Sequence, residues 1–483
     1  MELHDNDMTV TPPGMRLEDR ICASLLGGAI ADAMGWVTEF IRSPQQLLRL
    51  HGVERLTHFV RWEKKTEGRF HSYVDVVGAG EYSDDTQLTL CVARSIQADG
   101  TVDNVYFGKQ ELPSWLAYAR GGGATTIAAG KALQRKRAAW NRNFFRFQGG
   151  TVTIDYRASG TNGAAMRIGP IAMANPYDPQ RVSREVWRNA IVTHGHPRAI
   201  VGALVYAHAL TYMLSEATPR TDTLIHRLEE TTRGISFPDD DADLIQWRQE
   251  WAKRHPQDFD ALLKSATDEM LKILNNVQPD RTSTLRDLYA QWGCFESSTK
   301  GSGVATVGAA IATFLRYGNN YKKAVLEAVN MLGADTDTIA AMVGGLTGAH
   351  AGYSAIPEKW AERIQDFAYF MHVGSALSRI AHRDTSGPEL RTAPRELDEH
   401  LATVDSLVTA PQLTKHQGVK HPILGRGIIE CFEVHPLRSR PAGSNLFISV
   451  AFDCGQTCKF KFFRPSTILP RRRSKNAPRH LGL

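Results

Sequence analysis

What is scarce in this chain narrows it first. Cysteine is rare, six in 483 residues (Cys22, Cys91, Cys294, Cys431, Cys454, Cys458), too scattered for a disulfide framework and in keeping with a reducing compartment. Only Cys454 and Cys458 are close-spaced; without a second pair or a neighbouring His-x-His they read as strand residues, not a zinc site. No uninterrupted apolar run approaches the roughly 18 to 20 residues that cross a bilayer. The N-terminal stretch is acidic and polar where a signal peptide would be basic and then apolar, so cytoplasm is the expected compartment and no membrane is expected as a partner. Solenoid repeats are missing as well. With 42% hydrophobic and 22% charged residues, a disordered, collagen-like or coiled-coil chain is excluded, and the length calls for two folding units.

The net charge of +6 conceals an asymmetry. From Lys415 onward thirteen basic residues face three acidic ones, a balance of +10, which leaves −4 for everything before it. Residues 1–15 read as an N-terminal extension. From 16 to 383, helix-type apolar spacing recurs over Ile21–Met34, Leu88–Ile96, Ala199–Leu214, Leu262–Ile273, Val304–Leu315, Tyr321–Leu332, Ile339–Gly348 and Trp360–His372, with little strand-type alternation. The expected fold class is therefore all-α, one large compact helical domain. Residues 384–414, polar and marked by Pro388, Pro394 and Pro411, read as a linker. Over 415–470 the β-branched and aromatic runs HPILGRGIIECFEV, NLFISVAFDCG and CKFKFFRPSTILP predict a small antiparallel β-barrel, followed by a basic tail at 471–483.

Two acidic motifs carry the chemistry. Tyr82-Ser83-Asp84-Asp85-Thr86-Gln87 immediately precedes an apolar helix, and Gly333-Ala334-Asp335-Thr336-Asp337-Thr338 does the same about 250 residues further on. Either alone can be read as a helix cap, since Ser and Asp satisfy orphan backbone N–H groups at the positive end of a helix. If the two helix starts face each other, four carboxylates converge, and that much like charge requires cations. Oxygen donors without Cys or His select Mg²⁺, with Mn²⁺ next.

At this point the chain resembles the ADP-ribosylglycohydrolase family, which includes the dinitrogenase-reductase-activating glycohydrolases. Five segments carry the resemblance, in the family's order: Gly27 to Gly35 with Glu39-Phe40, Tyr82 to Gln87, Gly163 to Pro170, Thr193 to Pro197, and Asn330 to Thr338. The resemblance implies a binuclear Mg²⁺ site with ligands Ser83, Asp84, Asp85, Asp335, Asp337 and Thr338. It implies that Glu39, otherwise a surface charge at a helix end, closes over the metals and positions or deprotonates water. Asp84, Asp85, Asp335 and Asp337 are then catalytic together with Glu39. Gly122, Asn162, Gly163 and His194 would lie beside the ADP-ribose, with His196 a weaker candidate. Two positions depart from the family pattern: Ala31 and Ala334 stand where it has glycine.

A second resemblance links His421 to Ile429 and Ile448 to Asp453 with the small Tudor- or SH3-like barrels of some nucleic-acid-processing enzymes. Phe460, Phe462 and Phe463 interleave with Lys459, Lys461 and Arg464, a pattern suited to nucleic-acid contact or to docking onto the acidic helical domain. The expected function is Mg-dependent hydrolysis of the bond between ADP-ribose and a modified protein or nucleic acid, by a monomer. The alternatives are an inactive ADP-ribose binder and a nucleic-acid-associated protein of the same fold.

Overall fold

The computed structural model describes residues 15–465 apart from 67–72, 254–255, 278–282, 385, 387–389, 392–399, 411 and 437–442. The basic tail read at 471–483 lies outside the described residues, as does nearly all of the N-terminal extension.

The helix Leu17–Thr38 is long and apolar enough to cross a membrane by length and composition, yet 94% of its most apolar window is buried inside the protein. The reason lies in a stripe of small residues, Ala23, Gly27, Ala31 and Gly35, which a four-residue spacing places on one helix face. This stripe runs antiparallel along the helix Thr336–Ala351, which presents Gly344 and Gly348. A Cβ on Gly35 would stand 2.3 Å from the Thr336 carbonyl oxygen, and one on Gly348 2.2 Å from that of Ala23. The two backbones therefore touch directly. Ala31 fits this seam because Gly344 faces it: a Cβ on Gly344 would lie 2.8 Å from the Ala31 methyl. The seam pins the end of the first helix, and Glu39 beyond it, against the start of the late helix.

Other helices, among them Pro197–Ser215, Gly303–Tyr317 and Phe367–Ala381, enclose this pair. Seven of the eight segments read from periodicity fall on single helices, with Tyr321–Leu332 outrunning its helix, which ends at Val329. Trp360–His372 does not: it splits into Glu358–Ala361 and Phe367–Ala381, because Asp366 adopts a left-handed conformation (φ 61°) that a right-handed helix cannot continue. Two antiparallel hairpins, Trp62–Thr66 with Tyr73–Val77 and Arg146–Gly149 with Val152–Asp155, are the strand content that the helical pattern hides.

The C-terminal unit is a curled five-stranded sheet, a half-barrel, ordered Ala402–Thr403, Gly418–His421, Gly425–Pro436, Gly443–Phe452 and Thr457–Pro465. The first pair is parallel and the rest antiparallel. Its first strand, with buried Val404 and Leu407 just after it, comes from the stretch read as linker. Cys458 is a strand residue as expected, whereas Cys454 sits in the turn between the last two strands. The sheet packs on the helical domain, and their apolar cores are continuous.

Candidate metal centre and substrate cleft

The early motif begins as a helix cap. Ser83 is extended (φ −88°, ψ −167°), and its hydroxyl accepts from the Asp85 backbone N–H at 3.2 Å, starting the helix Asp84–Ser95. Capping accounts for Ser83 alone, and leaves the carboxylates of Asp84 and Asp85 for other work. Asp32, from the middle of the first helix, grips the turn. Its Oδ2 accepts from Ser83 N at 3.1 Å, Thr86 N at 3.2 Å and Thr86 Oγ1 at 2.5 Å. Gln87 anchors the other side, donating to the Tyr118 carbonyl at 3.1 Å while its oxygen accepts from Trp115 Nε1 and Arg120 N.

The late motif is placed differently. Gly333 turns the chain at φ 95° and donates its N–H to the Ile41 carbonyl, delivering Asp335 to the start of its helix. Asn162 Nδ2 donates to Asp335 Oδ2 at 2.6 Å, and Asp337 Oδ1 accepts from Thr338 N at 2.9 Å. Carboxylate oxygens of Glu39, Asp335 and Asp337 all lie within 4.8 Å of one another. Asp84 and Asp85 line the same cleft as Asp335, Asp337 and Thr338, so the two motifs meet.

The electrostatics follow from six acids in one buried place. Burial, and then Asp32, pushes the Asp84 carboxyl up to about 7; burial, and then Asp335, pushes Glu39 up to about 8. Burial and the neighbouring carboxylates carry Asp85 and Asp337 well above the ordinary range, and burial raises Asp335 against the pull of Asn162 and Lys300. Asp32 rises to about 6, held back by its hydrogen bonds to Ser83 and Thr86. Two buried oxygens, Asp32 Oδ1 and Asp85 Oδ1, have no hydrogen-bond partner among the described residues. An all-oxygen cluster of this charge, with unpaired acceptors, can hold a hard divalent cation.

Five of these acids form the floor of a cleft of about 920 Å³, with Asp32 behind it. Glu39, Asp84, Asp85, Asp335, Asp337 and Thr338 line it, as do Asn162, Gly163 and His194. Gly163 needs its bareness, since a Cβ there would sit 2.7 Å from the His194 ring. His194 is buried between the hydroxyls of Thr161 (3.0 Å) and Thr193 (2.7 Å), and burial drives its pKa down to about 3, so the ring is neutral. Gly121 and Gly123 reach the cleft, whereas Gly122 packs on Trp115, which a Cβ would approach to 2.7 Å. Ser83 lies behind the wall as a cap, and His196 caps the helix Pro197–Ser215 by accepting from Arg198 N.

Sequence reasoning passed over Asp32, Lys64 and Lys300. Asp32 had a signal, an acid in mid-run of an apolar helix, which a buried helix tolerates only when the carboxylate is used. Lys64, on the first hairpin, stands 4.9 Å from the Trp36 ring centroid and 5.1 Å from that of Phe40; Lys300 donates to the Glu39 carbonyl at 2.7 Å. Neither had a local pattern to betray it.

Comparison with known proteins gives the family. Residues 13–391 match the family model described as ADP-ribosylglycohydrolase. The ADP-ribosyl-[dinitrogen reductase] glycohydrolase of Rhodospirillum rubrum is 24% identical over 355 residues, covering 73% of this chain and 92% of its own. ADP-ribosylhydrolase ARH3 of Gallus gallus is 25% identical, covering 76% and 94%, and ADP-ribosylarginine hydrolase Tri1 of Pseudomonas putida is 23% identical, covering 80% and 84%. The sheet that follows Arg391 falls outside the matched family region. The chain belongs to the ADP-ribosylglycohydrolase family, and its helical domain is a glycohydrolase.

Proposed function

We propose that this protein hydrolyses the glycosidic bond between ADP-ribose and a modified protein or nucleic acid, using two Mg²⁺ ions, which Mn²⁺ can replace. Asp84, Asp85, Asp335, Asp337 and Thr338 would hold the ions, with Ser83 behind them. One observation carries this reading. Five acids line the cleft floor with Asp32 behind them, and two buried oxygens, on Asp32 and Asp85, are unpaired where burial without a partner is costly. Relatives named for ADP-ribosyl dinitrogen reductase and for ADP-ribosylarginine support the substrate half.

When bound, the ions would supply positive charge and Lewis acidity where the bond breaks. The rest belongs to the chain. Asn162 holds the Asp335 carboxylate in one orientation through its 2.6 Å hydrogen bond. Neutral His194 and bare Gly163 give the ribose and phosphate side a close, uncharged wall. Water attacks the anomeric carbon as the glycosidic bond parts through an oxocarbenium-like state, and the leaving group keeps the electron pair. Glu39, on the cleft floor and ionised once cation charge replaces its proton, takes the proton from the attacking water, and that proton passes on to the leaving group.

The test offers purified protein a panel of ADP-ribosylated arginine, serine and nucleic-acid substrates, with Mg²⁺ or with a chelator. Free ADP-ribose should appear only with the metal, and Asp335→Ala should lower its release by roughly 100-fold or more. Equal turnover by that variant would refute the metal assignment. Binding of ADP-ribose without release from any substrate would make the protein a reader.

A further inference from the structure

The C-terminal sheet carries a residue pattern suited to nucleic acid, yet its last strand spends much of that pattern inside the protein. Phe460 is fully buried and meets Tyr118 edge to face at 5.5 Å between centroids. Lys459 Nζ pairs with Asp75 at 2.8 Å, and both side chains are largely covered. The Lys461 backbone N–H donates to the Ala117 carbonyl at 2.9 Å. What these contacts share is where they lead.

Three separate routes run from the strand Thr457–Pro465 to the catalytic floor. In the first, Asp366 bridges the two units: Oδ1 accepts from Thr457 N at 3.0 Å and Oδ2 from the Tyr82 hydroxyl at 2.7 Å, one residue before Ser83. The left-handed break at Asp366 is what frees its carboxylate for this. In the second, Phe460 backs Tyr118, whose carbonyl accepts from Gln87 in the first turn of the motif helix. In the third, Asp75, held by Lys459, is the cross-strand partner of Lys64, the cation that overlies Trp36 and Phe40 next to Glu39. A further buried cluster locks the junction. Arg94 is paired with Glu111 through Nε and Nη2, each at 2.8 Å, and donates from Nη1 to Gln456 at 2.8 Å, inside the turn that leads into the strand.

We propose that the C-terminal sheet is a positioning device for the active site: through Asp366, Tyr118 and Asp75 it sets the place of Ser83, Asp84 and Asp85 and of Lys64. Asp366, Phe460 and Lys459 are then positioning residues. The proposal rests on reading the carboxylate floor as a metal centre. Groups that orient first-contact ligands typically tune metal affinity by about 10- to 100-fold.

The experiment uses the full chain and Mn²⁺ as probe, its binding followed by the loss of the free-ion electron paramagnetic resonance signal. Asp366→Ala, Phe460→Ala and Lys459→Ala are compared with Leu263→Ala, a core truncation in the helix Phe259–Asn276 that costs thermal stability elsewhere. The three sheet-junction variants should weaken Mn²⁺ binding by about tenfold and lower kcat with little change in KM. Amide-exchange protection over residues 83–87 should fall with them, while Leu263→Ala moves only the melting temperature. Junction variants that behave like Leu263→Ala overturn the proposal. So do variants that keep Mn²⁺ binding and lose salt-dependent retention on single-stranded nucleic acid, since the sheet is then a binding module. A wild-type protein that takes up no Mn²⁺ overturns the metal reading itself, and this proposal with it.

Discussion

The two acidic helix starts look alike in sequence and are held by unlike physics. The late one, Asp335 to Thr338, rests on steric contact, with backbone against backbone along a seam where Gly35 meets Thr336, and hydrogen bonds from Asn162 and Gly333 only trim it. The early one, Ser83 to Asp85, is placed by hydrogen bonds from side chains brought in from Asp32 and Gln87, with Tyr82 tied down just ahead of it. Steric placement is stiff and fails all at once, because close-packed backbone has nowhere to move. Polar placement is adjustable and fails by degrees, each lost bond costing about 1 kcal/mol. The site is one rigid half facing one tunable half.

The largest effect should come from breaking the rigid half. Gly35→Val puts a Cβ 2.3 Å from the Thr336 oxygen and 2.7 Å from Asp337 Cα, so the helices must part. We expect a loss of about 3 kcal/mol or more in stability by thermal unfolding, and loss of Mn²⁺ uptake with it. A Gly35→Val protein that melts like wild type would show that the seam does not position the late motif. The tunable half should respond more gently. Asp32→Asn keeps one acceptor for the three donors that Oδ2 now serves. It should fold, lose about 1 to 3 kcal/mol, and bind Mn²⁺ about tenfold more weakly. Unchanged Mn²⁺ affinity would mean that the hydrogen bonds of Asp32 do not place the early motif.

The same contrast decides what was legible in the sequence. Helix starts are local events, so Ser83 and the Asp335 to Thr338 run announced themselves through residue types that satisfy orphan N–H groups. The apolar periodicity of the long helices was likewise readable, because a buried stripe imposes its own spacing. What escaped was nonlocal. Nothing near Asp32 says that its carboxylate reaches a turn 51 residues on, and nothing near Lys64 says that a hairpin carries it to Phe40. The break at Asp366 hid inside good helical periodicity, since its cause is a partnership with Tyr82 and Thr457 rather than any preference of the chain nearby. The basic C-terminal strand was ambiguous between docking and nucleic acid for the same reason: Phe460 and Lys459 declare themselves only once Tyr118 and Asp75 stand opposite them.

The subtlest separation of the two halves is in their protons. Asp84 on the early side is raised from 3.8 to about 7, and Glu39 on the late side from 4.5 to about 8. In the unfolded chain both ionise near their ordinary values, while the folded, metal-free protein keeps the protons longer. Their contribution to stability is therefore fully present below about pH 4 and is lost as pH rises through 7 for Asp84 and through 8 for Glu39. Asp84→Asn should flatten the melting curve of metal-free protein against pH up to about 7, and Glu39→Gln should flatten it to about 8. Saturating Mg²⁺ removes the same penalty by replacing protons with cation charge, so the rise in melting temperature it gives should grow from pH 5 to pH 8. A rise that is equal across that range would mean that the carboxylates are already ionised without metal, and that hydrogen bonds and lysines, not cations, balance the floor.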